Sequence, residues 1–115
     1  MQIACARFAN SVRAYKVPTT FALTQNYPNP FNPTTTLAFS IPQAARTEIA
    51  VYDVLGRKVA TLASELKAPG YYSVQWDGRN SSGTSVASGV YFVRMTARPD
   101  NGTGFSAMRK LLLMK

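Results

Sequence analysis

From residue 35 onwards, hydrophobic and polar positions alternate in a succession of short runs, the spacing of half-buried β-strands. In Thr35–Ile41, Leu37, Phe39 and Ile41 share one face while Thr36, Ala38 and Ser40 share the other, and Pro42 ends the run. The run RTEIAVYDV sets Thr47, Ile49 and Val51 against Glu48, Ala50 and Tyr52. Asp53–Arg57 is then a hairpin signal, with Gly56 suited to a positive φ, and alternation resumes over Lys58–Leu62. A turn of helix around Ala63–Lys67 is the one non-strand element the pattern suggests. Ala68-Pro69-Gly70 is a second turn, Tyr72, Val74 and Trp76 form the next inward set, and Asp77–Gly83 is a polar loop. Ser88-Gly89 leads into VYFVRMTAR, where Tyr91, Val93 and Met95 share a face. The closing SAMRKLLLMK ends apolar on both faces, as in a central strand covered on both sides or an edge strand awaiting a partner. The pattern predicts an all-β fold, an immunoglobulin-like antiparallel β-sandwich of six or seven strands, with Trp76 as its central aromatic.

The stretch Gln25–Pro33, QNYPNPFNP, interrupts this pattern. Its three prolines remove three backbone donors and push Tyr27, Asn29 and Asn32 towards extended geometry, so it is expected to be locally stiff without a regular ladder. Tyr27 and Phe31 are expected to dock against the sandwich and seal an edge, with presentation to a partner as the alternative.

At 115 residues the chain suffices for one domain with a real core. An apolar fraction of 46% argues against disorder, and the longest strictly apolar run, the four residues Leu111–Met114, is too short to cross a bilayer, so no transmembrane segment is expected. Residues 1–17 read as the tail of a preceding domain or a linker, and the shift into Val17-Pro18-Thr19-Thr20 marks the start of the domain proper, residues 18–115. Arg7 and Arg13 interrupt any apolar core of a signal peptide. A single cysteine, Cys5, supports neither an internal disulfide nor a multi-cysteine metal site. Thirteen basic against five acidic residues give a net charge of +8, spread singly or in pairs with no helical stripe and no aromatic-interleaved cluster. That distribution argues against nucleic acid and for a solvated or polyanion-attracted face.

Catalysis is poorly provided for, and no enzymatic activity is expected. The chain has no histidine, which removes the usual general base, the usual partner of a nucleophile and the commonest metal ligand. The five carboxylates form no obvious pair, and Asp53 and Asp77 precede turns, where an aspartate accepts hydrogen bonds from nearby backbone donors. DGRNSSG lacks the spaced acidic ligands of a calcium loop, and Gly56, Gly83 and Gly89 are followed by no helix that would make a phosphate cradle. No cofactor or metal is expected.

Four stretches in this order, TFALTQNYPNPFNPTTTLAFSIP, IAVYDVLGRKVATL, GYYSVQWDGRNSSGTSVASGVYFVRM and RKLLLMK, resemble the C-terminal sorting domain of type IX secretion cargo proteins. The likeness covers about residues 20–115. Its middle two motifs are shared with the immunoglobulin-like domain of the flagellar hook-capping protein and support the fold more than the function. The resemblance implies a non-catalytic domain at the end of a larger cargo, secreted or carried to the cell surface through the periplasm, with the outer-membrane type IX translocon, a sortase-like peptidase and a preceding cargo domain as partners; the domain itself is expected to be a monomer. Carried onto this sequence, it places recognition at Gly89 and Tyr91 together with Lys110, Leu111, Leu112, Leu113, Met114 and Lys115, and cleavage near or before Val17, Pro18, Thr19, Thr20 and Phe21. With neither signal peptide nor sizeable cargo in view, the chain is expected to be a C-terminal piece of a longer protein. The alternative, from a different class, is a structural or adhesive immunoglobulin-like accessory module of a secreted multidomain protein. An assembly scaffold like the hook cap would need an N-terminal polymerisation region that these residues do not show.

Overall fold

The alternating runs become strands wherever a partner completes their ladder. The computed structural model describes residues 18–114, among which there are seven strands and no helix: β1 Ala22–Leu23, β2 Thr35–Ile41, β3 Ala45–Tyr52, β4 Lys58–Lys67, β5 Gly70–Trp76, β6 Gly89–Pro99 and β7 Phe105–Leu113. The expected tail of residues 1–17, with Cys5 and Val17, and the terminal Lys115 lie outside the described residues. The seven strands pair antiparallel and build two sheets, one ordered β1-β2-β5 and the other β4-β3-β6-β7. The chain crosses between sheets at Pro42–Ala44, at Ala68-Pro69 and through the loop from Asp77 to Ser88. The β3–β4 and β6–β7 pairs are hairpins. This is the predicted immunoglobulin-like sandwich.

The inward sets read from alternation are the core. Leu37, Phe39, Ile41 and Trp76 come from the first sheet, and Ile49, Val51, Val93, Met95, Leu111 and Leu113 from the second. Trp76 sits between Phe31 and Tyr91, with ring centroids 5.6 and 5.3 Å away, and its indole N–H donates to the Arg79 carbonyl at 2.9 Å. Its only polar atom is therefore satisfied inside the core.

The expected turn of helix at Ala63–Lys67 is instead the second half of β4. Ala45, Arg46, Thr47 and Glu48 pair with Lys67, Leu66, Glu65 and Ser64, so a ready strand edge overrides the helix-forming composition of LASELK. The register shifts at Ile49/Ala50 and again at Val51/Tyr52, irregularities that no alternation rule foresees. The Asp53 turn behaves as read: its Oδ1 accepts from the Leu55 and Arg57 amides, each at 2.9 Å, and Gly56 has φ of 83°. The Arg57 amide is the main reason its carboxyl lies below the ordinary range.

Replacing Trp76 by Ala should destabilise the domain by about 3–5 kcal/mol, read as a lower urea midpoint with an unchanged slope.

Candidate functional site

The edge strand β7 creates a problem that the proline strip answers. Alternation points the odd-numbered backbone groups of β7 at β6 and the even-numbered ones outward, where they need other partners. At the C-terminal end Gln25–Phe31 supplies these. Gln25 Nε2 donates to the Lys110 carbonyl at 2.7 Å, Asn29 Oδ1 accepts from the Leu112 amide at 3.1 Å, the Phe31 amide donates to the Leu112 carbonyl at 2.9 Å, and the Met114 amide donates to the Phe31 carbonyl at 2.9 Å. Phe31 thus forms a one-residue parallel bridge with Leu113. Its ring is 1% exposed and packs on Trp76.

The strip is anchored at its other end to the start of β2. Tyr27 and Thr36 exchange backbone hydrogen bonds, while buried Asn26 donates to the Thr35 hydroxyl and the Pro28 carbonyl. Tyr27 does not dock as expected. Its side chain is 81% exposed, so only one of the two aromatics docks. The bridge to Thr36 and the bridge to Leu113 set how each residue is presented, and Tyr27 faces outward while Phe31 reaches the core. A third segment closes the arrangement: Gly78, at φ of 76°, brings the polar loop so close that a Cβ would lie 3.4 Å from the Pro33 carbonyl and 3.6 Å from Leu113. Strip, loop and last strand therefore meet at Gly78.

The structure brings most of the candidate recognition residues together. Gly89 is directly opposite Leu113 and Tyr91 directly opposite Leu111. Leu111, Leu113 and Tyr91 are buried, Leu112 is half-buried, and Lys110 and Met114 are exposed. The Tyr91 hydroxyl donates to the Ala87 carbonyl at 2.7 Å, the tyrosine corner of immunoglobulin sandwiches, and burial pushes it above the usual phenol range. Gly89 has φ of 150° at the start of β6, with open space where a Cβ would stand. Its requirement is one of backbone conformation.

The candidate cleavage residues lie elsewhere. Pro18 is buried, Thr19 and Thr20 are exposed, the Thr20 carbonyl accepts from the Ser40 hydroxyl at 2.8 Å, and Phe21 stacks on Phe105 with centroids 5.5 Å apart. Gln25 and Asn29, which bond β7, and Asn26, which anchors the strip to β2, lie in the strip that the sequence marks as stiff, but these individual roles were not read from it. Their available signal was the interleaving of Asn and Gln with Pro, since amide side chains can replace the backbone donors that prolines lack.

Residues 25–101 match the FlgD Ig-like domain, more than half of the chain. The chain belongs to that family. No curated protein matches the sequence. Among solved structures, FlgD from P. aeruginosa is similar with a TM-score of 0.55 and 24% identity, over 70% of this chain and 66% of that one. Dimeric latent PorU from Porphyromonas gingivalis has a TM-score of 0.61 and 16% identity over 84% of this chain and 10% of that one. PorZ from the same organism, described as an essential bacterial surface component of the type-IX secretion system, has a TM-score of 0.50 and 22% identity over 83% of this chain and 11% of that one. At these identities the likeness is one of fold. The family match stops before β7, so the strand carrying most of the candidate site lies beyond it.

Gly89→Ala should destabilise the domain by about 1–3 kcal/mol through backbone strain alone, measurable by thermal or urea unfolding.

Proposed function

We propose that this FlgD-type immunoglobulin-like domain is a non-catalytic sorting module that directs a larger, N-terminally attached cargo to the outer-membrane type IX translocon. The observation that carries the proposal is the joining of two distant motifs, PNPFNP and the closing RKLLLM, into one surface. With Leu111, Leu113 and Tyr91 turned into the core, the side chains left for a partner are Lys110, Leu112 and Met114, flanked by the exposed Asn29, Pro30 and Asn32. Such a surface exists only when the domain is folded, because its backbone groups are held by a segment about 80 residues earlier in the chain. The likeness of fold to PorZ, a protein of the type-IX system by its description, is consistent with this use of the scaffold.

In this reading Gly89 and Tyr91 act by shaping the strand against which Leu111 and Leu113 lie. Cleavage from the cargo falls near or before residues 17–21, ahead of β1, and the freed product is secreted or held at the cell surface.

Fusing residues 18–115 to a periplasmically exported reporter, in a bacterium possessing the type IX system, should deliver the reporter to the surface. Reversing the exposed charge and polarity with Lys110→Glu and Met114→Ser should reduce delivery by an order of magnitude or more while the unfolding midpoint is unchanged. Undiminished delivery by the folded double variant would contradict the proposed surface. Retention of the intact domain on the mature secreted protein would favour a structural or adhesive module instead.

A further inference from the structure

We propose that the outward face of the four-stranded sheet binds the headgroups of an anionic phospholipid surface, with the β3–β4 turn as its apolar anchor.

The first support is the distribution of unpaired charge. The described residues include nine lysines and arginines, and four of these are ion-paired: Arg57 with Asp53, Lys58 with Glu48, Lys67 with Glu65 and Arg79 with Asp77. Arg46, Arg94, Arg98, Arg109 and Lys110 have no carboxylate partner among the described residues. All but Arg109 are exposed on the outward face of β3, β6 and β7. Arg46 stands directly opposite Arg98, Phe92 is directly opposite Lys110, and Lys58 is directly opposite Tyr52. The face therefore carries five cations, Arg46, Lys58, Arg94, Arg98 and Lys110, against the single carboxylate of Glu48, a net +4. Like charges directly opposed across a ladder cost stability, so the Arg46–Arg98 pair is a burden to the isolated fold that an anionic partner would relieve.

The second support is apolar and lies on the same surface. The Asp53 turn holds Val54 and Leu55 in water at 67% and 73% exposure. Val54 lines one groove together with Tyr52, Phe92, Arg94 and Met108, itself 52% exposed, so the tip and the cationic rows are continuous. Cations beside projecting aliphatic side chains match the two layers of a lipid interface, phosphates outside and acyl chains beneath. The face is a sheet surface with arginines on separate rows, suited to many phosphates in a plane more than to one enclosed oxyanion.

The test is co-sedimentation of the 115-residue chain with phosphatidylcholine vesicles with and without phosphatidylglycerol. Binding should require phosphatidylglycerol, weaken with salt and resist millimolar inorganic phosphate. The Arg46→Gln/Arg98→Gln variant should lose affinity on the order of 30-fold, and Val54→Ser/Leu55→Ser about ten-fold. Lys67→Gln/Arg79→Gln, which removes the same net charge elsewhere, should stay within about two-fold. Removing the opposed arginines should leave the thermal midpoint unchanged or raised, which separates lost binding from lost folding. Absence of vesicle binding, equal losses in the two charge-matched variants, or complete competition by inorganic phosphate would overturn the proposal.

Discussion

A strand at the edge of a sheet cannot leave its outward amides and carbonyls without partners when its side chains are buried, and the C-terminal end of β7 is in that position. Leu111 and Leu113 are fully buried, yet among the described residues β7 is the last strand of its sheet. The structure meets the requirement with a segment that cannot itself be a strand. Prolines at 28, 30 and 33 prevent the Gln25–Pro33 strip from extending a ladder, so it contributes one bridging residue, Phe31, and the side chains of Gln25 and Asn29. The strip caps the edge, and the same prolines bar a further strand from pairing with the strip itself.

The remaining features depend on this contact. Phe31 completes the cage around Trp76, which in turn packs on Tyr91 and holds the polar loop through Arg79. Gly78, at φ of 76°, supplies the left-handed backbone by which that loop approaches Pro33 and Leu113. The two ends of the described chain therefore share one packing problem, and the surface around Lys110, Leu112 and Met114 inherits its shape from the solution. All the unpaired cations but Arg109 gather on the outer face of the second sheet, which meets this surface at Lys110 on β7.

Much of the fold was legible because period-two alternation is a local property. Leu37, Phe39 and Ile41, or Tyr91, Val93 and Met95, declare their face without knowledge of any partner strand. What was not legible depends on pairing between distant segments. Tyr27 and Phe31 have the same chemistry in the same strip, and only the bridges to Thr36 and Leu113 distinguish the exposed ring from the buried one. LASELK has the composition of a helix, and its strand conformation comes from β3. The opposition of Arg46 and Arg98, 52 positions apart, is invisible until the register is known. For the candidate site, the sequence reading placed the residues on the last strand but could not separate core-facing Leu111 and Leu113 from outward Leu112 and Met114, since the run is apolar on both faces.

The proline strip closes the outer edge of β7, and amide hydrogen exchange of the unmodified domain tests this directly. On β7 the outward amides of Leu112 and Met114 are bonded by the strip, whereas alternation leaves those of Ser106 and Met108 facing outward beyond its reach. Protection of Leu112 and Met114 approaching that of the Leu111 and Leu113 amides, with rapid exchange at Ser106 and Met108, is the predicted result. Exchange at Leu112 and Met114 as fast as at Ser106 and Met108 would contradict it.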